Sequence, residues 1–279
     1  MQAQLSDDIL VLGGTGKTGR RVTERLRAGG RAVRVGSRRG DPAFDWQEPA
    51  TWARALRGAR AVYVSYYPDL AVPGAPEAIE QLVRTAQDAG VERLVLLSGR
   101  GEVEAQRAEQ IVQDGNFDWT IVRCSWFAQN FSEGHFADQV AQGEVALPVD
   151  AVREPFVDAE DIADVAVAAL TTPGHAHALY ELTGPDAITF EQAVEEIAAA
   201  TKRPIRFTPV TLEQYVTAMR DAGVPPDTIS FVSYLFTEVL DGRNASTHTG
   251  VRDALDRDAG DFRAYARRTA EAAGFGVPA

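Results

Sequence analysis

Through the first half of the chain, short apolar runs alternate with longer stretches whose apolar positions recur at helical spacing. Ile9–Leu12, Ala32–Val35, Ala61–Ser65, Arg93–Ser98 and Thr120–Arg123 are rich in Val, Ile and Leu and read as strands covered on both faces. Between them, Thr18–Ala28, Thr51–Leu56, Pro76–Ala89 and Glu102–Gln113 read as helices, with Val22 and Leu26 on one stripe of the first. Gly29-Gly30, Gly58, Gly90 and Gly115 punctuate the alternation. Strands that alternate with helices in this way predict an α/β fold, a Rossmann-type doubly wound parallel sheet.

After Arg123 the pattern is less regular. Glu144–Pro148, Ala178–Leu182 and Ile205–Val210 read as short strands. Helical spacing covers Val157–Thr171, with Ile162, Val165, Ala166 and Ala169 on one stripe, and Thr189–Ala200, Leu212–Ala222, Asp227–Asp241 and Asp261–Ala273. The expected organisation is a nucleotide-binding domain over 1–130, with 151–171 packing back on it. A smaller, mixed C-terminal substrate lobe is expected over 131–150 and 172–279.

The first strand leads into Gly13-Gly14-Thr15-Gly16-Lys17-Thr18-Gly19. The glycines fit both G-x-x-G-x-x-G and G-x-G-x-x-G. One glycine permits a sharp turn, another lets backbone approach phosphate, and a third lets the helix pack close to the strand. The N–H groups and positive dipole end of the following helix then face an anion. A strand before the loop and a helix after it are the context that a dinucleotide site requires. The second strand runs into Ser37-Arg38-Arg39, where an acid would bind a ribose hydroxyl. Two guanidinium groups and a serine suit a 2′-phosphate instead, which favours NADP(H) over NAD. Asp41, just beyond, keeps NAD open.

Composition removes several other classes. The chain has 279 residues, 45% hydrophobic and 24% charged, as expected for a globular protein with one large core or a core plus a lobe. A net charge of −12 argues against a nucleic-acid partner. No apolar stretch is long enough for a membrane span, and the start lacks a secretion signal, so a cytoplasmic location is expected. The single cysteine, Cys124, excludes an internal disulfide. His135, His175, His177 and His248 show no metal-ligand spacing, and no metal is expected. No Gly-x-Ser-x-Gly elbow surrounds a serine, which argues against a hydrolase.

The chain resembles the NmrA-like branch of the atypical short-chain dehydrogenases. The residues that carry this are the glycine loop, Ser37-Arg38-Arg39, Phe44-Asp45-Trp46 and Leu94-Val95-Leu96-Leu97-Ser98. Further matches are Asp118-Trp119-Thr120-Ile121-Val122-Arg123, Ser125-Trp126-Phe127, Asn130-Phe131, and the stretch from Pro155 to Val165. The resemblance implies NADP(H) binding by Gly13, Thr15, Gly16, Lys17, Thr18, Gly19, Ser37, Arg38, Arg39 and Asp45. It also implies that loops after the third, fourth and fifth strands border the nicotinamide, through Ser65, Tyr66, Ser98 and Cys124. Tyr67, Trp126, Phe127 and Asn130 are the expected substrate contacts, the aromatic rings forming a wall for a planar molecule. Members of the branch include quinone reductases, triphenylmethane-dye reductases, ergot-alkaloid iminium reductases, isoflavone-type reductases and redox-sensing regulators.

The Tyr-x-x-x-Lys pair of other short-chain dehydrogenases is missing. Lys17 and Lys202 are the only lysines, and no tyrosine lies between Tyr67 and Tyr180. An acceptor that needs no protein-derived proton is therefore expected: an iminium that hydride neutralises, or a quinone whose anion solvent protonates. Ser98, Arg100 and Ser125 are the candidate catalytic groups, and Glu102 is accounted for by its place at a helix start. The expected activity is an NADPH-dependent reduction of a small aromatic, quinoid or iminium compound by a monomer or homodimer. The alternatives are a non-catalytic NADP(H) sensor and an isomerase or epimerase that retains its nicotinamide.

Overall fold

The structure, a computed structural model, describes residues 8–134 and 136–276. The first elements in chain order are β1 (Ile9–Leu12), α1 (Lys17–Ala28), β2 (Val33–Gly36), α2 (Trp52–Leu56), β3 (Ala61–Val64), α3 (Ala75–Asp88), β4 (Arg93–Gly99), α4 (Val103–Gln113) and β5 (Asp118–Cys124). Next come α5 (Asn130–Glu133), α6 (Ala137–Gln142), β6 (Glu144–Leu147), β7 (Arg153–Glu154), α7 (Ala159–Thr171), β8 (Ala178–Leu182), β9 (Ile188–Thr189) and α8 (Phe190–Thr201). The chain ends with β10 (Arg206–Pro209), α9 (Leu212–Asp221), α10 (Pro226–Tyr234), α11 (Gly250–Leu255) and α12 (Phe262–Glu271). Contacts separate the chain into two units. The first takes the described residues of Met1–Cys124, Ala159–Leu182 and Gly250–Arg257, and the second those of Ser125–Asp158, Thr183–Thr249 and Asp258–Ala279.

In the first unit, six strands pair in the order β2-β1-β3-β4-β5-β8. Every pairing is parallel. Alternate residues of a strand point to opposite faces, so each strand supplies two cores. On one face Leu10, Leu12, Val62, Val64, Leu94, Leu96 and Ile121 pack with residues of α2, α3 and α4. The other face is that of α1 and α7: the Tyr63 hydroxyl donates to Thr18 Oγ1 (2.9 Å), and α7 packs on α1, β3, β4 and β5. Ile162, Val165, Ala166 and Ala169 of α7 are all buried, as their helical spacing predicts.

The division differs from the expected one in both directions. Ala178–Leu182, expected in the smaller lobe, pairs with β5 as an edge strand, and α11 packs on β8 and α7. A Cβ at Gly250 would come 2.2 Å from the Glu181 carbonyl oxygen, so only glycine lets the start of α11 lie against the strand. Conversely, 125–130 and 151–158, expected with the sheet, fall in the second unit. An apolar strand reads the same in sequence whichever sheet it joins, because pairing is a long-range choice.

The second unit has two small sheets, parallel β6–β10 and antiparallel β7–β9. Its core is dominated by Phe131, Phe136, Phe156, Phe190, Phe236, Phe262 and Tyr265. Capping boxes start α8 at Thr189 with Gln192 and α9 at Thr211 with Gln214. The helix expected over Asp227–Asp241 stops at Tyr234 and continues as a π-helical turn over Leu235–Val239. No helix among the described residues is long and apolar enough to cross a membrane.

Candidate functional site

The strand order changes direction between β1 and β3, because β2 lies on one side of β1 and β3 on the other. Ligands of open α/β sheets bind beyond the strand ends at such a reversal. The glycine loop occupies this position. Gly13 has φ +73°, and a Cβ there would come 2.9 Å from the Ser65 carbonyl oxygen at the end of β3. A Cβ at Gly14 would meet Val35 at 2.7 Å, and one at Gly19 would lie 2.2 Å from the Gly13 carbonyl oxygen. The loop closes on itself through the Gly16 N–H to the Gly13 carbonyl (2.9 Å). Helix α1 then starts at Lys17 without a side-chain cap and without an acid in its first turn. Thr15 and Gly16 are exposed, and Thr18 is buried on Tyr63. This is a cradle of backbone suited to an anion at a positive helix end.

At the end of β2, Ser37 anchors a turn: its carbonyl accepts from the Gly40 N–H (3.0 Å) and the Phe44 N–H (2.9 Å). Arg38 and Arg39 project from this turn and are exposed. Asp41 is paired with Arg54 (3.3 Å), both on the surface. Asp45 is half-buried; its carbonyl accepts from Trp52 Nε1 (2.6 Å), and its carboxylate from the Gln47 N–H (3.0 Å). Phe44, Trp46, Trp52 and Tyr66 form an aromatic cluster, with Trp46 and Tyr66 centroids 4.7 Å apart. Tyr66 is thus partly committed to packing, whereas Tyr67 is 72% exposed.

The ends of β4 and β5 carry the least expected chemistry. Ser98 Oγ is buried and donates to Glu109 Oε1 (2.6 Å). Glu109 is also held by the Arg123 guanidinium, whose Nη1 reaches Glu181 (2.8 Å). Hydrogen bonding to Glu109 raises the Arg123 pKa further above its ordinary range. Ser98 is therefore bound into a structural network rather than pointing free into a cleft. Arg100, which as a loop arginine would ordinarily be solvated, is buried; its N–H donates to the Cys124 carbonyl (3.0 Å), and its Nε lies 3.9 Å from Glu181. Cys124 is also buried, and burial pushes its thiol well above the usual cysteine range. It is a poor nucleophile in that state.

Glu102, whose place at a helix start accounts for it in sequence terms, does not cap α4. It is buried, and burial together with the charges of Asp69 and Glu109 raises its carboxyl pKa well above the ordinary value. The same burial raises Asp69 on the loop after β3, opposed by the Ala71 N–H and the charge of Lys17. The burial of Glu102 and the Glu109–Arg123–Glu181 network carry no sequence signal, since each depends on contacts between distant segments.

Ser125, Trp126, Phe127 and Asn130 belong to the second unit. Ser125 is buried. Trp126 packs against Phe136, Phe190 and Phe236 with centroids 5.7–6.1 Å apart. Phe127 forms a bridge with Val157, and Asn130 opens α5. For Trp126 the structure provides the packing partners of a core ring.

Elsewhere, a groove of about 230 Å³ lies at the starts of β1, β3, β4 and β5, among Arg31, Arg60, Glu92, Arg93 and Asp118. Arg60 there is paired with Glu92, and Arg93 donates to the Leu170 carbonyl, so these two arginines serve structural contacts. Among the described residues no cluster of His, Cys, Asp and Glu is placed to hold a metal ion; His135 lies outside them.

Residues 13–173 match the NAD(P)H-binding family. Over its length the chain is similar to an NAD(P)H azoreductase of Xenophilus azovorans, at 31% identity over 96% of this chain and 99% of that one. It is 32% identical to the (4-alkanoyl-5-oxo-2,5-dihydrofuran-3-yl)methyl phosphate reductase of Streptomyces griseus, over 95% and 98% of the two chains. In structure it is similar to the triphenylmethane reductase of Citrobacter sp. complexed with NADP(H), with a TM-score of 0.75, 18% identity, and 94% and 99% coverage. At that identity the likeness shows the shared fold. The motifs, the sheet topology and these matches agree: the chain belongs to the NAD(P)H-binding family, within the NmrA-like branch of the atypical short-chain dehydrogenases.

Proposed function

We propose that the protein is an NADPH-dependent reductase of small conjugated acceptors, quinoid, iminium or related aromatic compounds. The observation that carries this reading is the backbone cradle at the β1/β3 reversal with Arg38 and Arg39 exposed on the turn after β2. The cradle fits a pyrophosphate because the positions nearest the α1 start lack side chains that would fill it. Gly13, Gly16 and Gly19 shape the loop, while Thr15, Lys17 and Thr18 flank it. Ser37, Arg38 and Arg39 suit a 2′-phosphate, and Asp45 stands beside them on the same loop. Ser65, Tyr66, Ser98 and Cys124 lie at the ends of β3, β4 and β5, where the nicotinamide half is expected.

When bound, the nicotinamide supplies a hydride. The chain's own residues bind and orient it, and that positioning can account for as much as about 7–11 kcal/mol of barrier lowering. The azoreductase and phosphate reductase relatives, and the agroclavine dehydrogenase of Claviceps fusiformis at 26% identity, support reduction of small molecules as the common chemistry. Tyr67, exposed on the loop after β3, is proposed as a substrate contact. Trp126, Phe127 and Asn130 are proposed with it on the strength of the family resemblance.

Calorimetry with NADPH, NADP⁺, NADH and NAD⁺ tests the cofactor. A charge-assisted phosphate contact contributes about 1.5–3 kcal/mol, so Arg38→Ala is expected to raise the NADPH Kd by roughly 10- to 100-fold and to leave NADH nearly unchanged. Equal losses for both would remove the 2′-phosphate assignment. Consumption of NADPH with a cationic triphenylmethane dye or a quinone tests the activity. A protein that binds NADPH tightly and leaves it unoxidised with both would instead be a sensor.

A further inference from the structure

We propose that the Glu102 carboxyl, packed against Gly99 at the end of β4, is the proton donor to neutral acceptors in this site. The inference rests on the reductase reading and supplies the proton source that the missing Tyr-Lys pair leaves open.

The geometry is specific. A Cβ built on Gly99 would lie 2.2 Å from one Glu102 carboxyl oxygen and 2.6 Å from the other. The carboxyl therefore occupies the space that a side chain on the last residue of the strand would take, and the glycine leaves it room. Glu102 stands at the N-cap of α4, where a carboxylate ordinarily accepts backbone N–H groups. It makes no such bond, turning inward instead, and the residue is only 9% exposed. Among the described residues its carboxyl has neither a hydrogen-bond partner nor an ion pair. Its surroundings are Asp69 from the loop after β3, Glu109 from α4 and Cys124 at the end of β5. Glu109 is ion-paired with Arg123. Lys17 of α1 acts on Asp69. Burial and neighbouring acids both oppose ionisation of Glu102, which favours the protonated carboxyl, the form with an O–H to give. Two buried hydroxyls of the region are engaged: Ser98 donates to Glu109 and Tyr63 to Thr18.

The step balances. Hydride from NADPH adds two electrons and one hydrogen to a quinone, giving a phenolate oxygen and NADP⁺. The Glu102 O–H bond breaks, its proton passes to that oxygen, and the carboxylate left behind takes a proton from solvent before the next turnover. A cationic dye or iminium is neutralised by hydride alone and does not call on Glu102.

The test compares wild type, Glu102→Gln and Glu102→Asp in the NADP⁺-bound protein, with thermal melts to confirm folding. Carbon NMR of ¹³C-carboxyl-labelled glutamate reads the protonation state directly, one resonance disappearing in E102Q. The expected result is a neutral carboxyl at neutral pH. General acid catalysis contributes roughly 10²- to 10⁴-fold. E102Q is therefore expected to lower kcat for a neutral quinone by about a hundredfold more than for a cationic triphenylmethane dye, with E102D between. In wild type, quinone kcat falls as pH rises through the Glu102 titration, and E102Q loses that limb. An ionised Glu102 at neutral pH, equal losses on both acceptors, or an unchanged quinone rate would each overturn the donor role. Wild-type turnover of the dye tests the reductase reading by itself: its absence overturns that reading together with the donor role, whereas dye turnover with an unaltered quinone rate in E102Q overturns the donor role alone.

Discussion

At Gly19 a single hydrogen separates a working loop from a collision. A methyl group there would meet the Gly13 carbonyl oxygen at 2.2 Å, and the obstacle is backbone. Gly19→Ala is expected to destabilise the protein by about 1–3 kcal/mol, as overpacking does, and to abolish measurable NADPH binding in calorimetry. Glu109 is the second decisive residue: buried, it pairs with Arg123 and anchors Ser98. Glu109→Ala leaves the mostly buried Arg123 guanidinium with Glu181 alone and Ser98 without its acceptor, and is expected to cost about 1–3 kcal/mol in denaturant unfolding. Glu102 works in the opposite direction. Its folded pKa lies above the unfolded one, so the native state binds the extra proton. Stability is therefore lost as pH rises from the ordinary glutamate value toward the folded one. Glu102→Gln removes that penalty, and its melting temperature is expected to exceed that of wild type increasingly at higher pH. A constant difference across pH would contradict the buried neutral acid.

At the scale of elements, ion pairs fix how α1, α7 and the end of α11 lie against one another. Arg21 and Arg25 of α1 meet Glu160 of α7 at 2.6 and 2.5 Å, and Arg25 also meets Asp164 at 2.6 Å. Arg257, just after α11, reaches Asp161 (2.7 Å) and Asp164 (2.6 Å). Burial acts to raise the Glu160 pKa, but the bonds from Arg21 and Arg25 outweigh it and hold the group below its ordinary value. A depressed carboxylate stabilises above its unfolded pKa, and the gain disappears as pH falls through the folded one. Glu160→Gln is expected to lower the melting temperature at neutral pH and to leave it unchanged in acid, where wild type has already lost the interaction. A drop that persists in acid would point to packing instead. The α7 stripe was legible because burial of a helix follows its apolar period, whereas Arg21 and Arg25, 139 positions from their respective partners Glu160 and Asp164, gave no local sign.

Across the whole molecule, each unit is assembled from separated stretches of chain. Helix α7, which covers β3, β4 and β5, is supplied long after those strands. A fragment ending at residue 124 therefore keeps α1 but leaves β3, β4 and β5 without the helix that covers them on that face, and lacks β8 beside β5. It is expected to show no cooperative thermal transition, while the full chain melts sharply; a sharp transition in the fragment would mean that the late segments are dispensable to the sheet.

The sequence by itself determined the strand–helix alternation of the first half, the glycine loop with its helix start, and the basic turn at Ser37-Arg38-Arg39. These depend on period-two and helical patterning and on backbone sterics, which act over a few residues. Only the tertiary structure decided that Ala178–Leu182 joins β5, that Ser98 is bound to Glu109, that Arg100 is buried, and that Glu102 turns inward against Gly99. Those outcomes depend on which distant segments come together, and hence on desolvation and charge pairing that no local pattern encodes.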